Sequence, residues 1–206
     1  MANFRLKNKR MLQVDLNNEK VMALAGSMVA YEGRVKFEKE ILGGEGLFGA
    51  FKRRLANESM SIMATSGIGS VYFAHEAREI EIVPLSNEKI FIESKSLLAY
   101  DSNLRTNTVF TGLRGAASGN GLFTTTVEGH GSVAVLSDGG ILMFEVNPSY
   151  PFFVDPDAFI AYKGNIVQEF VFDVNWKTFV GQSSGETFQL KFSGSGVVYI
   201  QASELK

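Results

Sequence analysis

Two histidines, His75 and His130, are the chain's whole supply of imidazole, and it has no cysteine. Metal centres built on imidazole or thiolate need several such ligands in a recognisable pattern. His75 has Glu76 and Glu79 close by in sequence, while His130 stands between Gly129 and Gly131. The two occupy different positions of different units, so both read as solvent-exposed turn residues. Asp155-Pro-Asp157 offers two carboxylates to a cation, but Asp and Pro are equally what a tight turn needs, and the turn is the preferred reading. Without cysteine there is no Cys–His pair, and two histidines leave a serine triad little to draw on.

Gly44-Glu-Gly-Leu-Phe-Gly49 has the G-x-G-x-x-G spacing and opens an expected helix. A dinucleotide site also needs a βαβ unit with an acidic residue about twenty positions further on. Here that region holds the Gly67-Ile-Gly69 motif, with no alternating β/α pattern after it. The segment therefore reads as a glycine loop leading into a surface helix. Lys52-Arg53-Arg54 could meet an acidic partner or a membrane surface, but reads as the solvated face of that helix. No catalytic, cofactor-binding or metal-ligating residue is assigned, and the chain is expected not to be an enzyme.

The elements that would have to position any site repeat along the chain. Val21–Tyr31, Ile90–Tyr100 and Phe152–Tyr162 are equal in length, and each ends in an apolar pair followed by Ala-Tyr. A second motif follows each: Gly67-Ile-Gly69-Ser-Val, Gly129-His-Gly131-Ser-Val and Gly194-Ser-Gly196-Val-Val. Asn18-Glu-Lys20 and Asn87-Glu-Lys89 precede the first two Ala-Tyr segments. The same order of motifs, recurring about every sixty-five residues, marks an internal repeat. The units run 11–74, 79–136 and 141–202. They abut without a linker, so residues 1–206 are expected to form one compact domain with a shared core around a pseudo-threefold axis.

Period-two alternation makes these units β. Arg78-Glu-Ile-Glu-Ile-Val83 puts its isoleucines on one face and its glutamates on the other. Val35-Lys-Phe-Glu38 and Phe188-Gln-Leu-Lys-Phe192 alternate likewise. Runs such as Ser132-Val-Ala-Val135 are continuously apolar, as strands buried on both faces are. Each Gly-x-Gly is expected as a hairpin turn between strands, and Ser137-Asp-Gly-Gly140 as a hairpin joining the second and third units. One helix is expected, Leu47–Ala56, inserted in the first unit, with Leu47, Phe48, Phe51 and Leu55 on one face.

Composition narrows the function. Net charge is −2, which argues against a nucleic-acid surface held by phosphate contacts. The basic N-terminus lacks an apolar core and is not a secretory signal. No apolar run reaches membrane-spanning length. The expected location is cytoplasmic, and peripheral membrane contact has nothing in its favour.

The Ala-Tyr segments, the Gly44-Glu-Gly-Leu-Phe48 loop, the Gly-x-Gly-x-Val motifs and Val154-Asp-Pro-Asp-Ala-Phe-Ile-Ala161 together resemble the Aim-type mitochondrial biogenesis family. That family is a large set of mostly bacterial proteins of unknown function. The resemblance covers nearly the whole chain. It implies three modules similar to the trp RNA-binding attenuation protein, each a short relative of the double-stranded β-helix. It supplies no catalytic residues. The reading that follows is a non-enzymatic binding or scaffold protein that self-associates and holds a protein partner. The alternatives are an RNA binder, by fold analogy alone, and a β-barrel protein binding a small molecule or metal.

Overall fold

Runs of Val, Ile, Phe and Tyr, interrupted by Gly and Asn, fold into long strands. The computed structural model describes residues 1–40, 61–113, 121–172 and 188–203. The strands are β1 (Asn3–Asn8), β2 (Met11–Leu24), β3 (Met28–Glu40), β4 (Ile62–Phe73), β5 (Glu79–Glu93), β6 (Leu97–Asp101), β7 (Arg105–Leu113), β8 (Gly121–Ser137), β9 (Ile141–Val146), β10 (Phe152–Val154), β11 (Phe159–Phe172) and β12 (Phe188–Gln201). One 3-10 turn, Ser94–Ser96, separates β5 from β6. The expected helix Leu47–Ala56 lies outside the described residues, as do the Gly44–Gly49 loop and Lys52-Arg53-Arg54.

All pairings between the strands are antiparallel. They form one open sheet in the order β10-β12-β11-β5-β8-β6-β2-β4-β3, with β1 on β2, β7 on β8 and β9 on β12. Three long strands are flanked on both sides. β4 pairs β2 and β3; β8 pairs β5, β6 and β7; β12 pairs β9, β10 and β11. The path of the sheet ends at β10 and at β3.

The Gly-x-Gly motifs are not turns. Each sits inside a continuous strand: Gly67–Gly69 in β4, Gly129–Gly131 in β8, Gly194–Gly196 in β12. Glycine is required because backbones cross closely there. Gly69 has φ +150°, and a methyl on it would overlap the Glu32 carbonyl oxygen of β3. Opposite these glycines the partner strand bulges. Between Asn17 and Lys20 the register of β2 on β4 shifts, and Asn18 has φ 67°. β5 repeats this on β8 between Ser86 and Glu88, with Asn87 at φ 59°. Asn tolerates the left-handed region better than other non-glycine residues, which explains the repeated Asn-Glu-Lys.

Ser137–Gly140 is not a hairpin either. β8 and β9 do not pair; the chain bends and β9 crosses to β12. Gly139 and Gly140 both have positive φ at this bend.

The core ignores the boundaries of the sequence repeats. One cluster joins Met22 and Ile62 to Val83, Ile92 and Val133, and to Ile160 and Tyr199. A second joins Leu12, Val71 and Phe73 to Ile80, Leu98 and Leu136. A third, around Phe159, Leu190 and Phe192, takes in Phe91. Each fully buried large apolar side chain stabilises the fold by about 1.5–3 kcal/mol, so these clusters fasten the three stretches of sequence together.

Candidate functional site

The residues with chemical potential are scattered. His75 is half-buried in the turn after β4, its Nε2 3.8 Å from a carboxylate oxygen of Glu76. His130 is exposed, as expected, but lies within β8 and not in a turn. Among the described residues no group of three His, Cys, Asp or Glu side chains could hold a metal ion. Asp155 makes a turn: its carboxylate accepts from the Asp157 N–H at 2.9 Å and its carbonyl from Ala158 N–H at 3.0 Å. Gly181-Gln-Ser-Ser-Gly185 has the Gly-x-Ser-x-Gly spacing, against the expectation that the chain holds no such motif, and it too lies outside the described residues. Its flanking strands β11 and β12 are direct antiparallel partners.

Several polar side chains are buried, and those with resolved partners tie distant backbone together. Asp101 is 1% exposed; its carboxylate accepts from Ala2 N–H at 3.1 Å and Ser132 N–H at 2.8 Å. Arg78 donates to the carbonyls of Lys95 and Leu136 and lies 3.3 Å from the Asp138 carboxylate. Gln201 donates to the Asp157 carbonyl and accepts from Asp138 N–H. None of these was singled out in the sequence, because their partners lie far away in it. Asp15 is a surface counterpart. Partial burial alone would raise its pKa, but hydrogen bonds from Ser70 and Gln13, with the Arg5 charge, hold it below the usual carboxylate range.

The Ala-Tyr segments make the most distinctive geometry, two joints between strands from neighbouring repeats. In the first, Val21, Met22 and Ala23 of β2 face Asp101, Tyr100 and Ala99 of β6. In the second, Ile90, Phe91 and Ile92 of β5 face Lys163, Tyr162 and Ala161 of β11. The Phe91 and Tyr162 rings stack across it. Burial pushes the Tyr162 phenol up to about 12. Lys163 reaches back to Glu88, Nζ to Oε2 3.3 Å.

Residues 4–203 match the family model described as mitochondrial biogenesis AIM24. The chain belongs to the AIM24 mitochondrial biogenesis family. The match spans all three Ala-Tyr segments and all three Gly-x-Gly strands. The AIM24 chain is also similar in fold to the crystal structure of protein SPYM3_0169 from Streptococcus pyogenes. That likeness has a TM-score of 0.75 at 22% identity, and covers 99% of this chain and 94% of that one. No curated protein matches. Among the described residues no helix is long and apolar enough to cross a membrane.

In this AIM24-family chain exposed apolar side chains lie at both ends of the described sheet, besides Leu6, Ile68 and Val167 elsewhere. Val29 and Tyr31 are exposed on β3. At the other end Phe153 is exposed on β10, with Leu142, Met143 and Phe144 on neighbouring β9. A strand edge that carries apolar side chains is a template for adding another strand. That capacity to pair is what the arrangement of the described strands offers.

Proposed function

We propose that this chain is a non-enzymatic scaffold that self-associates and presents the assembled β surface to a protein partner. In this reading, residues 11–74, 79–136 and 141–202 are three tandem modules of the short double-stranded β-helix type. Each is organised around its Gly-x-Gly strand: β4, β8 or β12.

The observation that carries the proposal is the likeness of the two joints. The first residues of one repeat's Val21–Tyr31 or Ile90–Tyr100 segment pair with the Ala-Tyr end of the next repeat's segment, in the same register both times. A joint that recurs is a modular interface, and a chain built by repeating one ends with half an interface at each side. Among the described residues the histidines lie apart, and the Asp101 and Asp155 carboxylates are spent on backbone anchors and a turn.

Sedimentation velocity over a hundredfold range of concentration, followed by capture of partners from the native host, tests the reading. Self-association with a stoichiometric protein partner is the expected result. A monomer at every concentration that captures nothing overturns it.

A further inference from the structure

The two joints define where a third should be. In the first, Val21, Met22 and Ala23 oppose Asp101, Tyr100 and Ala99; in the second, Ile90, Phe91 and Ile92 oppose Lys163, Tyr162 and Ala161. The corresponding residues of the third segment are Phe152, Phe153 and Val154. The corresponding Ala-Tyr end of the first segment is Ala30, Tyr31 and Glu32. Carried over, the same register sets Phe152 opposite Glu32, Phe153 opposite Tyr31 and Val154 opposite Ala30.

Neither strand makes that pairing. Among the described residues β10 pairs only β12, β3 pairs only β4, and the two close opposite ends of the sheet. Burial marks the vacancy residue by residue. Leu98 and Ile160 are 0% exposed, whereas the equivalent Val29 is 52% exposed. Tyr100 and Tyr162 are 4% and 7% exposed, whereas Tyr31 is 52%. On the opposing strand Met22 is 6% exposed and Phe153 is 48%. The Tyr position and the apolar position two before it are covered twice and bare once, and on the opposing strand Phe91 is half-buried.

We infer that β10 of one chain pairs antiparallel with β3 of a second copy, Phe153 lying against Tyr31 as Phe91 lies against Tyr162. A second copy is the occupant because it carries the complementary edge in the register used twice already, while within one chain the two edges end opposite sides of the sheet. Such a contact is heterologous: each copy offers β10 to one neighbour and β3 to the other, so the assembly grows head to tail and closes as a ring or continues as a filament. Main-chain hydrogen bonds supply the attachment, and the aromatic pair fixes register. This inference rests on the scaffold reading and gives it an interface.

The absence of native cysteine makes the test clean. Tyr31→Cys and Phe153→Cys are made as separate single variants and coexpressed. Directly opposed residues of an antiparallel pair lie about 4.5–5.5 Å apart at Cα, within disulfide reach. The expected result is a disulfide-linked dimer from the coexpressed pair and none from either variant alone. A disulfide from one variant with itself would mean like edges pair, and overturns the inference. So does an internal disulfide at monomer mass in the chain carrying both cysteines. A third measurement separates this from the broader reading. Val29→Lys places a charge on an edge that is bare in the single chain, so it should keep the native circular dichroism while weakening self-association at least about tenfold. Self-association that survives Val29→Lys and yields no cross-link overturns this interface and leaves the scaffold standing. An unmodified chain that never self-associates overturns both.

Discussion

Phe91 and Tyr162 lie face to face across the joint between β5 and β11, their ring centroids 4.5 Å apart and their planes 7° from parallel. The residues are far apart in sequence and belong to different repeats, so the stack is a clasp between two parts of the fold. Phe91→Ala removes the ring and opens a gap beside Tyr162, which also packs on Phe159. The expected loss is about 2–4 kcal/mol, read as a lower denaturation midpoint. Phe91→Tyr, which keeps the stack, should lose far less.

Gly69 gives a second expectation. Its φ of +150° and the Glu32 carbonyl against it leave no room for a side chain. Gly69→Ala should force β3 and β4 apart and cost more than the roughly 1 kcal/mol of an ordinary strained substitution. The equilibrium unfolding curve would show it. A Gly69→Ala protein as stable as the parent would mean that the close crossing of β3 and β4 is wrong.

Asn87 should discriminate among substitutions by backbone conformation alone. At φ 59° on the bulge of β5, glycine is tolerated and a β-branched residue is not. Asn87→Gly should be nearly neutral, and Asn87→Val should cost about 1–2 kcal/mol. Chemical denaturation of the two variants side by side checks the order.

The Tyr162 phenol should make stability fall at high pH. Burial raises its pKa to about 12 from an ordinary 10.0. Above pH 10 the unfolded chain gives up this proton while the folded chain keeps it, so the contribution is complete below pH 10 and is lost as pH climbs toward 12. Asp15 works in the opposite direction. Its depressed pKa gives stability that is present above its ordinary 3.8 and lost as pH falls through the lowered folded value. Ultraviolet titration of the parent and of Tyr162→Phe should show a tyrosine that titrates at about 12 disappear in the variant.

The β class was legible because alternation leaves local marks. Alternation in Arg78–Val83 and recurrence of Ala-Tyr need no knowledge of tertiary neighbours. Gly67-Ile-Gly69 was misread as a turn because glycine signals positive φ alike in a hairpin and in a strand crossed closely by its partner. Ser137–Gly140 was misread for a related reason: two glycines announce a change of direction, but not which strand comes next. Asn18 and Asn87 stood out as repeated residues without a role until the bulges appeared opposite the glycines. Asp101 was invisible, since its partner Ala2 lies at the other end of the repeat pair. The different fates of Tyr31 and Tyr162 could not be read at all. Their motifs are alike, and only the presence or absence of an opposing strand separates them.

Native mass spectrometry of the unmodified chain beside Val29→Lys tests the central claim most directly. The account expects clean multiples of 22.6 kDa for the unmodified protein and a single chain mass for the variant, with the same circular dichroism for both. A single chain mass for the unmodified protein, or equal multiples for both, would contradict it.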